Sequence, residues 1–191
     1  MIQPDYNELM EECCRIAMIV DRRVTRPYVG SLIWYDGKII SVGHVASTTK
    51  KVKKKKEVRR GGRSGSRGSS AQVGRRIEEK NVRIHSEQMS LSNLATADLY
   101  DIRKSVLVTT LEPCIPGSRT GPRRGSLASC CELIVEYGIK RVVIGRLDSS
   151  NKVPGYSGVL YLRENGIEVI HNEHLEKLVR DTNANYVDFR D

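Results

Sequence analysis

Four side chains in three short fragments have the types and spacing of a hydrolytic metal centre. His85 and Glu87 lie in His85-Ser86-Glu87, Cys114 ends Glu112-Pro113-Cys114, and Cys130 opens a later helical segment. One imidazole and two thiolates make a three-ligand set for a catalytic zinc ion, with the fourth position left to water. Such mixed nitrogen and sulfur donors suit zinc. A water so held titrates near pH ~7 instead of ~15.7, so hydroxide is available at neutral pH. Glu87, two residues from His85, is placed as a general acid/base and not as a ligand. It would take a proton from the bound water and pass it to the group that leaves. The bland alternative is a buried histidine, a surface acid and two core thiols. The order of the fragments, and their places at strand and helix ends, favour the metal. Cys130 is preferred over its neighbour Cys131 because it shares a helical face with Leu133 and Ile134.

Those side chains need elements to hold them. Residues 6–21 read as an amphipathic helix with Leu9, Cys13, Ile16 and Val20 on one face. Residues 28–35 and 38–45 read as two strands joined by Asp36-Gly37, a tight-hairpin signal. A helix is expected over 86–98, with Met89, Leu91 and Leu94 inward. A buried strand follows at 104–110, then a loop rich in Gly, Pro and Arg at 115–126. Ser129 is placed to cap a helix over 130–137 whose apolar face is Cys130, Leu133, Ile134 and Tyr137. Strands at 140–145 and 167–171 alternate with helices at 156–165 and 172–186. That alternation predicts a mixed sheet with parallel members, covered on both faces.

The 191 residues suit one domain. The net charge of +9 is concentrated: residues 50–80 hold thirteen Lys or Arg against three acids, a net +10 that leaves −1 for the rest. The chain therefore reads as a near-neutral domain interrupted at 47–82 by a basic, low-complexity insertion expected to be a mobile loop. Clustered Lys and Arg would attract a phosphate backbone, but the segment has no aromatic side chain for base stacking. Five cysteines are an odd number, and the acidic start MIQPDYNELMEE does not read as a signal or transit peptide. Reduced thiols and a cytoplasmic location are expected. Cys13 and Cys14 read as packing residues. No stretch reaches the roughly 20 apolar residues of a membrane helix.

The order H-x-E, then P-C, then C is the zinc-deaminase signature. With it the chain resembles the cytidine-deaminase-like superfamily, and within that the deaminase domain of the bacterial riboflavin-biosynthesis deaminase/reductase. The motifs are Arg26-Pro27-Tyr28-Val29-Gly30 with Asp36-Gly37-Lys38-Ile39-Ile40, Thr110-Leu111-Glu112-Pro113-Cys114, the turn Gly117 to Pro122, and Asp148 to Gly158. The resemblance implies a three-layer α/β/α fold with a mixed sheet of about five strands. It implies Zn2+ held by His85, Cys114 and Cys130, with Glu87 catalytic, and a homo-oligomer. Arg26, His44, Arg119 and Asn151 are candidate substrate contacts. The implied substrate is a pyrimidine or aminopyrimidine nucleotide bearing a ribose phosphate. The alternative is a base deaminase of RNA or single-stranded DNA, with the basic insertion on the backbone. A third reading, a deaminase-like scaffold without activity, is disfavoured by Glu87. Three departures stand out: Ser86 replaces the family's alanine, a change expected to be harmless; Arg26 replaces its asparagine; and fifteen residues separate the two cysteines.

Overall fold

A computed structural model describes residues 2–19, 28–54, 76–94, 100–117, 128–148 and 156–184. The chain divides into two compact units, Met1–Ala46 with Ile84–Asp191, and Ser47–Arg83.

The larger unit is built on a five-stranded sheet. Its strands are β1 (Gly30–Tyr35), β2 (Lys38–His44), β5 (Val106–Leu111), β6 (Arg141–Arg146) and β7 (Glu168–Ile170), in the order β2-β1-β5-β6-β7. β1 runs antiparallel to both β2 and β5, while β5, β6 and β7 are parallel. Asp36 and Gly37 make the β1–β2 turn with φ of 41° and 87°, the left-handed values that the Asp-Gly pair tolerates.

The period-2 alternation of the strands sorts the core into two halves. Leu32, Trp34, Val106, Val108 and Val143 face α1 (Tyr6–Met18) and α5 (Glu173–Thr182), packing with Leu9, Met10, Cys13, Ile16, Leu175 and Val179. Ile33, Leu107, Val142 and Ile144 face the opposite way. They pack with Leu91 of α2 (Ser86–Ser92), Ile134 of α3 (Cys130–Glu136) and Leu162 of α4 (Gly158–Glu164). The result is the expected three-layer α/β/α arrangement. Cys13 and Cys14 are buried packing residues, and the Cys13 thiol donates to Val108 O at 3.3 Å.

Three local expectations are corrected. The helix expected over 86–98 ends at Ser92, where Asn93 caps it and its side-chain amide turns to Val42 O at 3.1 Å. Tyr137 is exposed and does not belong to the inward face of α3, because the helix closes at Glu136 and Tyr137 is its C-cap. The flanks of the basic insertion are strands and not a loop: β3 (Ala46–Lys54) and β4 (Arg76–Ile84) form a two-stranded sheet. Thr48, Thr49, Val52, Ile77, Val82 and Ile84 are β-branched, and ladder pairing satisfies backbone groups without a large core. The rest of the insertion, 55–75, lies outside the described residues.

Gly43 on β2 controls how closely α2 approaches the sheet. A Cβ there would stand 2.1 Å from Ser86 O and 2.5 Å from Ser90 N, both backbone atoms of α2. Gly43→Ala is therefore expected to push the start of α2 outward. Overpacking of this kind costs about 1–3 kcal/mol, or a drop of roughly 3–10 °C in Tm. Calorimetry with zinc analysis checks it; an unchanged Tm would show that α2 can shift without cost.

Candidate metal centre

Three chain segments converge at the end of the sheet where β5 stops. His85 is the N-cap residue of α2, in extended conformation. Cys114 lies three residues beyond β5, and Cys130 is the first residue of α3. The start of α3 is fixed by a reciprocal capping pair. Ser129 Oγ accepts from Glu132 N at 3.2 Å, and Glu132 Oε2 accepts from Ser129 N at 2.7 Å. At α2 the return contact comes from Gln88, whose Oε1 accepts from His85 N at 3.0 Å. Gln88 Nε2 then donates to Ala128 O at 3.0 Å, tying the two helix starts together. Sequence reasoning missed Gln88, although its place three residues after the N-cap was a readable signal.

One potential ligand atom from each of His85, Cys114 and Cys130 lies within 4.8 Å of the other two. The Cys130 sulfur is 3.4 Å from His85 Nδ1, and Cys130 N donates to the Cys114 sulfur at 3.4 Å. Both cysteines are buried and His85 is half-buried. A compact set of one imidazole and two thiols fits a zinc ion. The Cys114 thiol is held down to about 6, chiefly because the Cys130 thiol donates to it and His85 adds a hydrogen bond and charge, against the upward pull of burial. Burial, then its role as donor to Cys114 and the nearby Glu87 charge, pushes Cys130 up.

Cys131 faces elsewhere. Its thiol donates to Pro113 O at 3.4 Å, and it packs in the core half shared by α2, α3 and α4. Its backbone N donates to Cys114 O at 3.1 Å.

Glu87 is 3% exposed, an unusual burial for a carboxylate, and its Oε2 lies 3.5 Å from the Cys130 sulfur. Thr109 Oγ1 donates to its Oε1 at 3.1 Å and Ser86 Oγ to its Oε2 at 3.2 Å. The helix carrying Glu87 is pinned to the sheet through Ser90. The Ser31 hydroxyl lies 3.0 Å from Ser90 Oγ, Ser41 Oγ donates to Ser90 O, and Ser90 Oγ donates to Glu87 O at 3.1 Å.

A second buried carboxylate, Glu112, is structural. Its Oε1 accepts from Val159 N at 3.0 Å and its Oε2 from Asp148 N at 3.0 Å, so it joins the end of β6 to the start of α4. Of the candidate substrate contacts, His44 ends β2 opposite Gly30 and is half-buried. Arg26, Arg119 and Asn151 lie outside the described residues.

A mixed, doubly covered sheet that delivers an imidazole, two thiols and a buried carboxylate to one strand end defines a zinc-binding α/β protein. The family model for the cytidine and deoxycytidylate deaminase zinc-binding region matches residues 4–146, and the chain belongs to that family. A diaminohydroxyphosphoribosylamino-pyrimidine deaminase of Buchnera aphidicola subsp. Schizaphis graminum is 46% identical over 65 residues, 34% of this chain and 39% of that protein. The riboflavin biosynthesis protein RibD of Aquifex aeolicus is 37% identical over 97 residues, 51% of this chain and 24% of that protein. The matches thus span well under half of these relatives' length. Among solved structures, a Thermotoga maritima diaminohydroxyphosphoribosylaminopyrimidine deaminase/reductase superposes with a TM-score of 0.60 at 26% identity, over 96% of this chain and 40% of that one. The dCMP deaminase of cyanophage S-TIM5 shares the fold, with a TM-score of 0.53 at 18% identity over 90% of this chain and all of that one. No helix among the described residues is long and apolar enough to cross a membrane.

Proposed function

We propose that the chain is a zinc-dependent hydrolytic deaminase of an aminopyrimidine nucleotide of the riboflavin-pathway kind. The observation that carries this is the convergence of His85, Cys114 and Cys130 within 4.8 Å, with the buried Glu87 carboxylate beside them. His85, Cys114 and Cys130 hold the metal, which when bound supplies an activated water at neutral pH. Glu87 moves both protons of that water, one to a ring nitrogen as the oxygen adds to the ring carbon and the other to the departing amine as the C–N bond breaks. One water enters and one ammonia leaves, so the amine-bearing carbon becomes a carbonyl carbon. Burial of Glu87 keeps bulk water from competing for that proton. The substrate class rests on the names of the relatives at 46% and 37% identity. Arg26, His44, Arg119 and Asn151 remain the positions at which we place substrate contacts.

The test is ammonia release by the zinc-loaded protein on a panel of aminopyrimidine ribotides, cytidine nucleotides, short RNA and single-stranded DNA. Turnover of the aminopyrimidine ribotide above the others is expected. Turnover confined to the polymers would overturn the substrate assignment and bring the +10 segment at 50–80 into the substrate path.

A further inference from the structure

Glu87 has one hydroxyl on each carboxylate oxygen, and the two come from different elements. Ser86, on α2, donates to Oε2 at 3.2 Å, while Thr109, on β5, donates to Oε1 at 3.1 Å. Both are fully buried, so no bulk water substitutes for either. We propose that Ser86 and Thr109 are positioning residues that fix the orientation of the Glu87 carboxylate for proton transfer; this rests on the reading of Glu87 as the proton carrier.

A glutamate side chain has three rotatable bonds, and a proton carrier works only when its oxygen lies within hydrogen-bond reach of donor and acceptor. A single hydroxyl would leave the carboxylate free to turn about its last bond. Two hydroxyls, one per oxygen, remove that freedom. Thr109 has a further property: its Oγ1 also lies 3.0 Å from Leu111 O. Its hydroxyl therefore keeps a hydrogen bond whether the carboxyl oxygen facing it accepts or donates. The main chain of Glu87 is held separately by Ser90, so loss of either hydroxyl leaves the backbone in place.

The experiment compares Ser86→Ala, Thr109→Val, the double variant and Thr109→Ser, each zinc-loaded. Hydrogen bonds to a charged group are worth enough that each single loss is expected to lower kcat about tenfold. KM and zinc content should stay at wild-type values, and Thr109→Ser, which keeps the hydroxyl, should restore kcat. Crystal structures of wild type and the double variant give a readout independent of turnover. One carboxylate orientation is expected in the former, and a turned or split one in the latter. A double variant with wild-type kcat, or with the wild-type carboxylate orientation, overturns the proposal. So does loss of zinc in every variant including Thr109→Ser, which would make the hydroxyls structural. A Glu87→Gln protein at full activity would instead sink the proton-carrier reading on which the proposal stands.

Discussion

Glu87→Gln is expected to lower ammonia release by about 10²–10⁴-fold, the usual contribution of a positioned general acid/base. Zinc content and Tm should be nearly unchanged. The amide matches the carboxylate in shape: its oxygen can accept from one of the Thr109 and Ser86 hydroxyls while its NH2 donates to the other, but it cannot take up a proton at neutral pH. The side chain is 3% exposed and close to the Cys130 sulfur, so removing its charge from that interior leaves no unpaired ion behind. Metal analysis beside steady-state kinetics separates the two roles open to Glu87. Loss of zinc together with activity would make it part of the metal-binding framework and end its assignment as proton carrier.

Adjacent cysteines should behave in opposite ways. Cys130→Ala removes a sulfur 3.4 Å from His85 Nδ1, leaving two donors where the set has three. Zinc affinity is expected to fall by more than the roughly 10–100-fold that an outer hydrogen-bond partner of a ligand contributes. Cys131→Ala removes a sulfur that donates to Pro113 O and packs in the core. Its expected cost is about 1 kcal/mol of stability, with zinc retained. Chelator competition against both variants reads the difference. If Cys131→Ala releases zinc and Cys130→Ala keeps it, the register of α3 is one residue off. The contrast is sharp because neighbouring positions on a helix point about 100° apart, so one sulfur can reach the site and the other cannot.

Much of the site was legible because its signals are local. His-x-Glu, Pro-Cys and a cysteine after a Ser cap each sit where a strand or helix begins or ends, and the capping pair Ser129 and Glu132 is three residues apart. The hairpin at Asp36-Gly37 and the alternation of β1, β5 and β6 are likewise written in adjacent residues. The basic insertion shows the opposite case. Its lysines and glycines predicted a loop, and composition outweighed the β-branched residues at its flanks, which form β3 and β4.

The amino-acid sequence by itself determined the donor types, their order, the helix caps and the two-faced strands, because these depend on side-chain chemistry and on periods of 2 and 3.6 residues. Tertiary structure alone decided that β1 lies between β2 and β5, since pairing partners 70 or so residues apart leave no local trace. It alone brought Gln88 to Ala128 and gave Glu112 its two backbone donors. It also brought the Ser86 hydroxyl to one oxygen of Glu87, and set Thr109 on the other oxygen across 22 residues of chain. Such contacts depend on where packed elements meet, and a hydroxyl on a buried strand acquires a role only when the helix opposite delivers its partner.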